Sequence, residues 1–355
     1  MTDLLDLTGD PADLTRVLCD LESVSGNEGP LADLVERTLR TLPHLSVTRY
    51  GDAVLARTEL GRAERVVLAG HIDTVPLAAA ANLPTWLEGD RLYGRGTCDM
   101  KGGVAVQLAL AAALPEPSRD LTFVFYDGEE VESERNGLGR ISREAPDQLA
   151  GDFAVLLEPT SGNVEGGCNG TIRVDVTMHG RAAHSARAWM GHNAIHDAAV
   201  VLGRLTAYDP QDVEVEGLVF RESLNAVRID GGVAGNVIPD RCVVSVNYRF
   251  APSKSVQDAE HHLRELFTGL DVVVSDAAGG ARPGLDRPMA KAFLDVIGKA
   301  PGPKYGWTDV ARFSELGMPA VNFGPGDPLK AHADDEFVPV EQIRHCLRVL
   351  KAWLA

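Results

Sequence analysis

Positive charge is scarce in this chain: 34 lysines and arginines stand against 51 aspartates and glutamates, a formal net of −17. Nucleic acid demands the opposite balance, so no nucleic-acid partner is expected. Long apolar runs are missing too, as is the basic-then-apolar opening of a signal peptide. The expectation is a cytoplasmic protein with no membrane partner. Cysteine is sparse. Its five residues (Cys19, Cys98, Cys168, Cys242, Cys346) are odd in number and lack CxxC spacing. That disfavours a disulfide framework and a thiolate zinc knuckle alike. There is no GxSxG elbow, and Cys98 has no obvious base partner. A serine or cysteine nucleophile is therefore not expected.

What is present is ordinary globular material, 45% hydrophobic and 24% charged, over 355 residues. That length favours two domains. Residues 11–42 carry helical apolar spacing, broken at Ser25-Gly26-Asn27. VVLAG (66–70), LTFVFY (121–126) and FAVLLE (153–158) read as short buried strands, and VAVQLALAAAL as a buried helix. This alternation predicts an α/β domain with a mixed, mostly parallel sheet flanked by helices. Near Gly170 the texture changes to strict apolar–polar alternation in TIRVDVTMHG. A βαββαβ order follows, with helices at 194–206 and near 255–268, strands near 224–230 and 241–249, and then DVVV. It predicts a small α+β domain of ferredoxin-like form. The expected division is 1–170 and 284–355 for a catalytic domain, with 171–283 inserted.

Chemistry-bearing residues gather where strands stop, which is where open α/β sheets build sites. His71 and Asp73 follow VVLAG; Asp99 lies in LYGRGTCDMKGG before a helix; Glu129 and Glu130 follow LTFVFY; Glu158 ends FAVLLE. Taken singly, each is an ordinary solvated loop charge. Together they are a mixed nitrogen and oxygen donor set, suited to zinc in an open catalytic site. His71-x-Asp73 suggests a carboxylate that accepts the second imidazole N–H and fixes its tautomer. Adjacent Glu129 and Glu130 repel, so one carboxylate is best neutralised by metal while the other stays free as a general base.

GHIDTVP, LYGRGTCDMKGG, the Glu-Glu pair, LEPT and a late histidine, in this order, resemble the co-catalytic zinc aminoacylase and exopeptidase family. The resemblance covers nearly the whole chain. It implies a pair of zinc ions in each subunit, with cobalt or manganese as possible substitutes. Asp99 would bridge the ions, His71 and Glu158 would complete one position, and Glu130 with His332 the other. Glu129 would be the base that deprotonates water, with Asp73 behind His71. A non-proline cis peptide at Asp99-Met100 is implied as well. His184 would stabilise the oxyanion, and Asn225, Arg249, Thr308, Asp309 and Gly324 would bind substrate. A homodimer through the inserted domain, which would also act as a lid, is a further implication. The motifs read closest to the branch that hydrolyses N-succinyl-LL-2,6-diaminopimelate to succinate and LL-2,6-diaminopimelate. Acetylornithine deacetylase, or another N-acyl-amino-acid deacylase or carboxypeptidase, is the alternative. A substrate with three carboxylates needs a local cationic clamp in so acidic a chain, and Arg187, Arg249 and Arg312 are the candidates. Two departures stand out: Gly128 precedes the Glu-Glu pair where many relatives carry an acid, and LAAAANLPTWLEGD is short and plain.

Overall fold

The computed structural model describes residues 4–78 and 82–355. Part of LAAAANLPTWLEGD therefore lies outside the described residues. The chain divides into two compact units, one of Met1–Gly166, Gly284–Gly302 and Arg312–Ala355, the other of Gly167–Pro283 and Pro303–Ala311. The second unit thus takes in 303–311, which a single insertion at 171–283 does not include.

The first unit is built on a mixed sheet. Its strands run in the order Ser46–Tyr50, Ala53–Arg57, Asp120–Tyr126, Arg65–His71, Phe153–Leu156, Ala320–Asn322, Glu165–Gly166. The centre is parallel: Arg65–His71 pairs with Asp120–Tyr126 on one side and Phe153–Leu156 on the other. Every residue of Asp120–Tyr126 is buried, as a strand covered on both faces requires. The antiparallel hairpin of Ser46–Tyr50 and Ala53–Arg57 was not evident in the apolar pattern, because its first strand is only partly buried. The helix Lys101–Ala113 is apolar on all sides and buried from Lys101 to Ala111, so it serves as a core helix. Its neighbours in the core include Leu18, Leu68, Phe123 and Leu350.

The parallel register does the positioning. His71 stands opposite Tyr126, and Ala69 opposite Leu156. The three chain segments leaving these strands start at one edge of the sheet, and they carry Asp73, Glu129 with Glu130, and Glu158.

The second unit has a four-stranded antiparallel sheet ordered Ser223–Gly231, Arg241–Phe250, Gly170–His179, Asp271–Ala278. Helices Ala194–Thr206 and Val256–Leu266 supply Ala198, Val201, Ala259 and Leu263 to a core with Val174, Val176, Val244 and Val246. Ser255 and Asp258 close a reciprocal capping box at the start of the second helix. The βαββαβ order is present, with an added hairpin of Asp212–Val215 and Leu218–Arg221.

All five cysteines are buried, and none is in a disulfide. Burial pushes the thiol of Cys19 up to about 12 and that of Cys168 to about 11. Among the described residues, no helix is long and apolar enough to cross a membrane.

Candidate metal centre

Two three-residue donor groups share one carboxylate. His71, Asp99 and Glu158 offer ligand atoms within 4.8 Å of one another, and so do Asp99, Glu130 and His332. A third set joins His71 to Glu129 and Glu130. His71 Nε2 lies 3.2 Å from Asp99 Oδ1. His332 Nε2 lies 3.4 Å from Asp99 Oδ2 and 3.0 Å from Glu130 Oε2. His71 is buried and Asp99 and Glu130 nearly so, whereas the His332 side chain is 54% exposed.

Carboxylates at this density hold protons on the imidazoles. Burial opposes charge on His71, yet Asp73 and Asp99 raise its pKa well above the ordinary value. Hydrogen bonds to Asp99 and Glu130 raise His332 to about 10. Burial works against ionisation of Asp99, but His332 and His71 hold its carboxyl far below the usual range. Two imidazoles and several carboxylates converging on shared points fit hard-to-borderline divalent cations, which take the place of those protons.

The Asp99-Met100 peptide is cis. Gly128, one of the departures noted in the sequence, has φ +67, and a Cβ there would meet the Arg135 carbonyl oxygen at 2.7 Å. The turn into Glu129 needs glycine at that point.

Asp73 differs from its expected role in one respect. His71 Nδ1 is 3.0 Å from the backbone carbonyl of Asp73 and 3.5 Å from its carboxylate. The carboxylate instead accepts the backbone N–H groups of Glu129 and Glu130, both at 3.1 Å, and the Ser25 hydroxyl at 2.7 Å. Asp73 therefore fixes the Glu-Glu turn as well as the imidazole.

Gly324 belongs to the first unit and donates its N–H to Thr160 Oγ1 at 3.1 Å. A Cβ there would lie 2.2 Å from the Leu157 carbonyl oxygen and 2.6 Å from that of Glu158. Its place is against the backbone that presents Glu158. Arg312 donates to Ser133 Oγ at 2.9 Å, and its guanidinium packs on Gly139.

The other expected substrate residues lie in the second unit. His184 is exposed, and its Nδ1 accepts from Ala186 N–H at 3.1 Å. Arg187 sits in the same turn, Ser185–Met190. Asn225 stands opposite Asn247 across the sheet, on the strand next to Arg249. Arg249 Nε donates to Asn247 Oδ1 at 3.1 Å; burial, then the neighbouring Arg173, lowers its pKa. Thr308 and Asp309 are buried.

Sequence reasoning missed four residues. Ser25 braces Asp73. Lys101 is fully buried and donates to the carbonyls of Leu18 and Leu21, both at 3.0 Å. Arg95 and Glu336, both buried, pair at 2.8 Å beside Asp99. Their local strings, LYGRG and DDEF, read as loop charges. The signal that was there is Lys101, whose charge falls inside an otherwise apolar buried helix and so demands partners.

The sequence profile described as Peptidase family M20/M25/M40 matches residues 67–355. A Mycobacterium tuberculosis (strain CDC 1551 / Oshkosh) protein described as a putative succinyl-diaminopimelate desuccinylase is 54% identical over 354 residues, 99% of each chain. The succinyl-diaminopimelate desuccinylase of Corynebacterium glutamicum is 47% identical over 362 residues, covering 99% of this chain and 98% of that one. Among solved structures, the YXEP protein of Bacillus subtilis, described as a dinuclear metal binding peptidase from the M20 family, superposes with a TM-score of 0.72. It is 16% identical, covers 97% of this chain and 96% of that one, and shows the shared fold.

Proposed function

The chain belongs to the M20/M25/M40 peptidase family, and on that premise we propose that it hydrolyses N-succinyl-LL-2,6-diaminopimelate to succinate and LL-2,6-diaminopimelate. One observation carries the substrate: 54% identity along 99% of both chains to a protein described by that activity. The donor geometry supports the reaction class. His71, Asp99 and Glu158 would hold one zinc ion, and Asp99, Glu130 and His332 the other. Cobalt or manganese suits the same donors. When bound, the pair supplies Lewis acidity to the scissile carbonyl and to water.

Glu129 is the proposed base. It takes a proton from the attacking water as the oxygen bonds to the carbonyl carbon, then delivers it to the nitrogen as the C–N bond breaks. Asp73 holds the backbone N–H groups of Glu129 and Glu130, so base and ligand stay in fixed relation. His184 is proposed to stabilise the oxyanion, and Arg249 to receive a substrate carboxylate through its planar fork. Asn225, Thr308, Asp309 and Gly324 are proposed to complete substrate binding. We also propose a homodimer through the second unit, whose strand Ser223–Gly231 is a sheet edge with Val227 57% and Ile229 50% exposed. Buried cysteines outside any disulfide suit a cytoplasmic setting.

The test is a substrate comparison on the zinc-loaded chain. kcat/KM for N-succinyl-diaminopimelate should exceed that for N-acetylornithine and simple dipeptides by at least about a hundredfold, near 2.7 kcal/mol of transition-state preference. A higher value for either competitor rejects the assignment.

A further inference from the structure

Asp99 and His332 lie 3.4 Å apart, although they come from loops far apart in sequence. Between those loops sits Glu336, only 1% exposed. One of its carboxylate oxygens, Oε1, accepts the backbone N–H groups of Cys98 at 3.0 Å and Asp99 at 3.1 Å. The other, Oε2, pairs with Arg95 Nη1 at 2.8 Å. Arg95 Nη1 also donates to the carbonyl of Ala333, next to His332, at 3.1 Å, and its Nε to the carbonyl of Pro76 at 3.2 Å. The main chain adds a further tie, since Gly94 N–H donates to the Glu336 carbonyl at 3.0 Å.

A buried ion pair is a poor way to gain stability, because desolvation offsets most of its attraction. It is a good way to fix two segments in one geometry. His332 needs such fixing. Its φ of +64 is left-handed, which a residue with a Cβ holds only when its surroundings impose it. Its side chain is also half exposed, so packing restrains it little. The His71, Asp99 and Glu158 group is differently anchored. His71 is held by the Asp73 carbonyl, and the backbone of Leu157 and Glu158 is pressed by Gly103 and Gly324.

We infer that Glu336, working with Arg95, is a positioning residue that sets Asp99 against His332 and so completes the Asp99, Glu130 and His332 cation position. Asp99 is shared, so both positions feel its loss, but the ties of Arg95 to Ala333 and of Gly94 to Glu336 hold only the His332 loop, and the effect is larger there than at His71, Asp99 and Glu158. What counts is the reach of Oε1 to two N–H groups. This rests on the metal-centre reading proposed above.

The experiment titrates metal-free chain with Co²⁺ by visible absorption and with Zn²⁺ by calorimetry, resolving two binding events. In Glu336→Ala the binding event that His332→Ala abolishes should lose about tenfold to hundredfold in affinity, and the other should lose several-fold less. Glu336→Gln keeps an acceptor oxygen at the same reach but turns a donor toward Arg95, so it should recover part of the affinity that alanine loses. Glu336→Asp keeps the charge but withdraws the oxygen by a methylene, so it should behave like the alanine variant. It replaces that variant if Ala does not fold. Equal weakening of both ions, unchanged binding in both Ala and Asp, or Gln as damaging as Ala would each overturn the positioning role. If the unaltered chain binds fewer than two ions, the metal-centre reading itself falls. A two-ion parent with an unaffected Asp variant sinks only the role of Glu336.

Discussion

Glu129 and Glu130 are neighbours in sequence, and the same aspartate holds both their N–H groups, yet the roles proposed for them are separable. Glu130 lies against His332 at 3.0 Å and belongs to a donor group built around Asp99. Glu129 also comes within ligand distance of His71, but it is absent from the two groups that share Asp99. Replacing Glu129 by Gln removes the proposed proton acceptor and leaves those two groups intact. kcat should fall by about a thousandfold or more, within or beyond the usual range for a lost general base, while metal content stays at the parent level. Loss of metal in step with activity would instead make Glu129 a ligand. At this scale the sequence was informative wherever a functional residue ends a strand, because burial of the strand and polarity of the next residue coincide. It was silent on Ser25, Arg95 and Glu336, whose partners are non-local and whose own neighbours look like solvated loop. For Asp73 the spacing points to the imidazole two positions back, whereas three of its contacts come from Glu129, Glu130 and Ser25.

Elements, in turn, are placed by what they exclude. The backbone of Leu157 and Glu158 leaves its strand between Gly103 of the core helix and Gly324 after Ala320–Asn322. A Cβ on either glycine would come 2.2 Å from the Leu157 carbonyl oxygen. Neither glycine has a left-handed φ, so the demand is for closeness and not for an unusual backbone. Gly324→Ala should therefore cost about 1–3 kcal/mol through overpacking and displace Glu158. Urea denaturation should show the lowered midpoint. Metal titration should show weakening at the His71, Asp99 and Glu158 position; unchanged stability would mean the packing there is looser than it looks. The helices and strands were largely legible in the sequence: expected 194–206 is Ala194–Thr206, and expected 241–249 is Arg241–Phe250. The exceptions were the partly buried strand Ser46–Tyr50 and the hairpin Asp212–Arg221, whose four-residue strands are too short for alternation to show.

For the whole molecule, the edge strand Ser223–Gly231 is the natural place to look for assembly. Lysine at Val227 and Ile229 would put charge where the proposed dimer needs apolar contact. Mass measurement in solution should then give a monomer in place of a dimer, with the metal groups of the first unit unaffected. A dimer of unchanged strength would move the interface elsewhere. The alternation in TIRVDVTMHG breaks with the buried runs before it, close to where the second unit begins at Gly167, whereas GWTDV has no periodicity to set 303–311 apart. The buried thiols, finally, turn the chain into its own reporter. Cys19, Cys98 and Cys346 belong to the first unit, Cys168 and Cys242 to the second. An alkylating reagent finds none of them while the structure is closed. A timed pulse during unfolding, read peptide by peptide in a mass spectrometer, therefore dates the opening of each unit separately, with no engineered site needed.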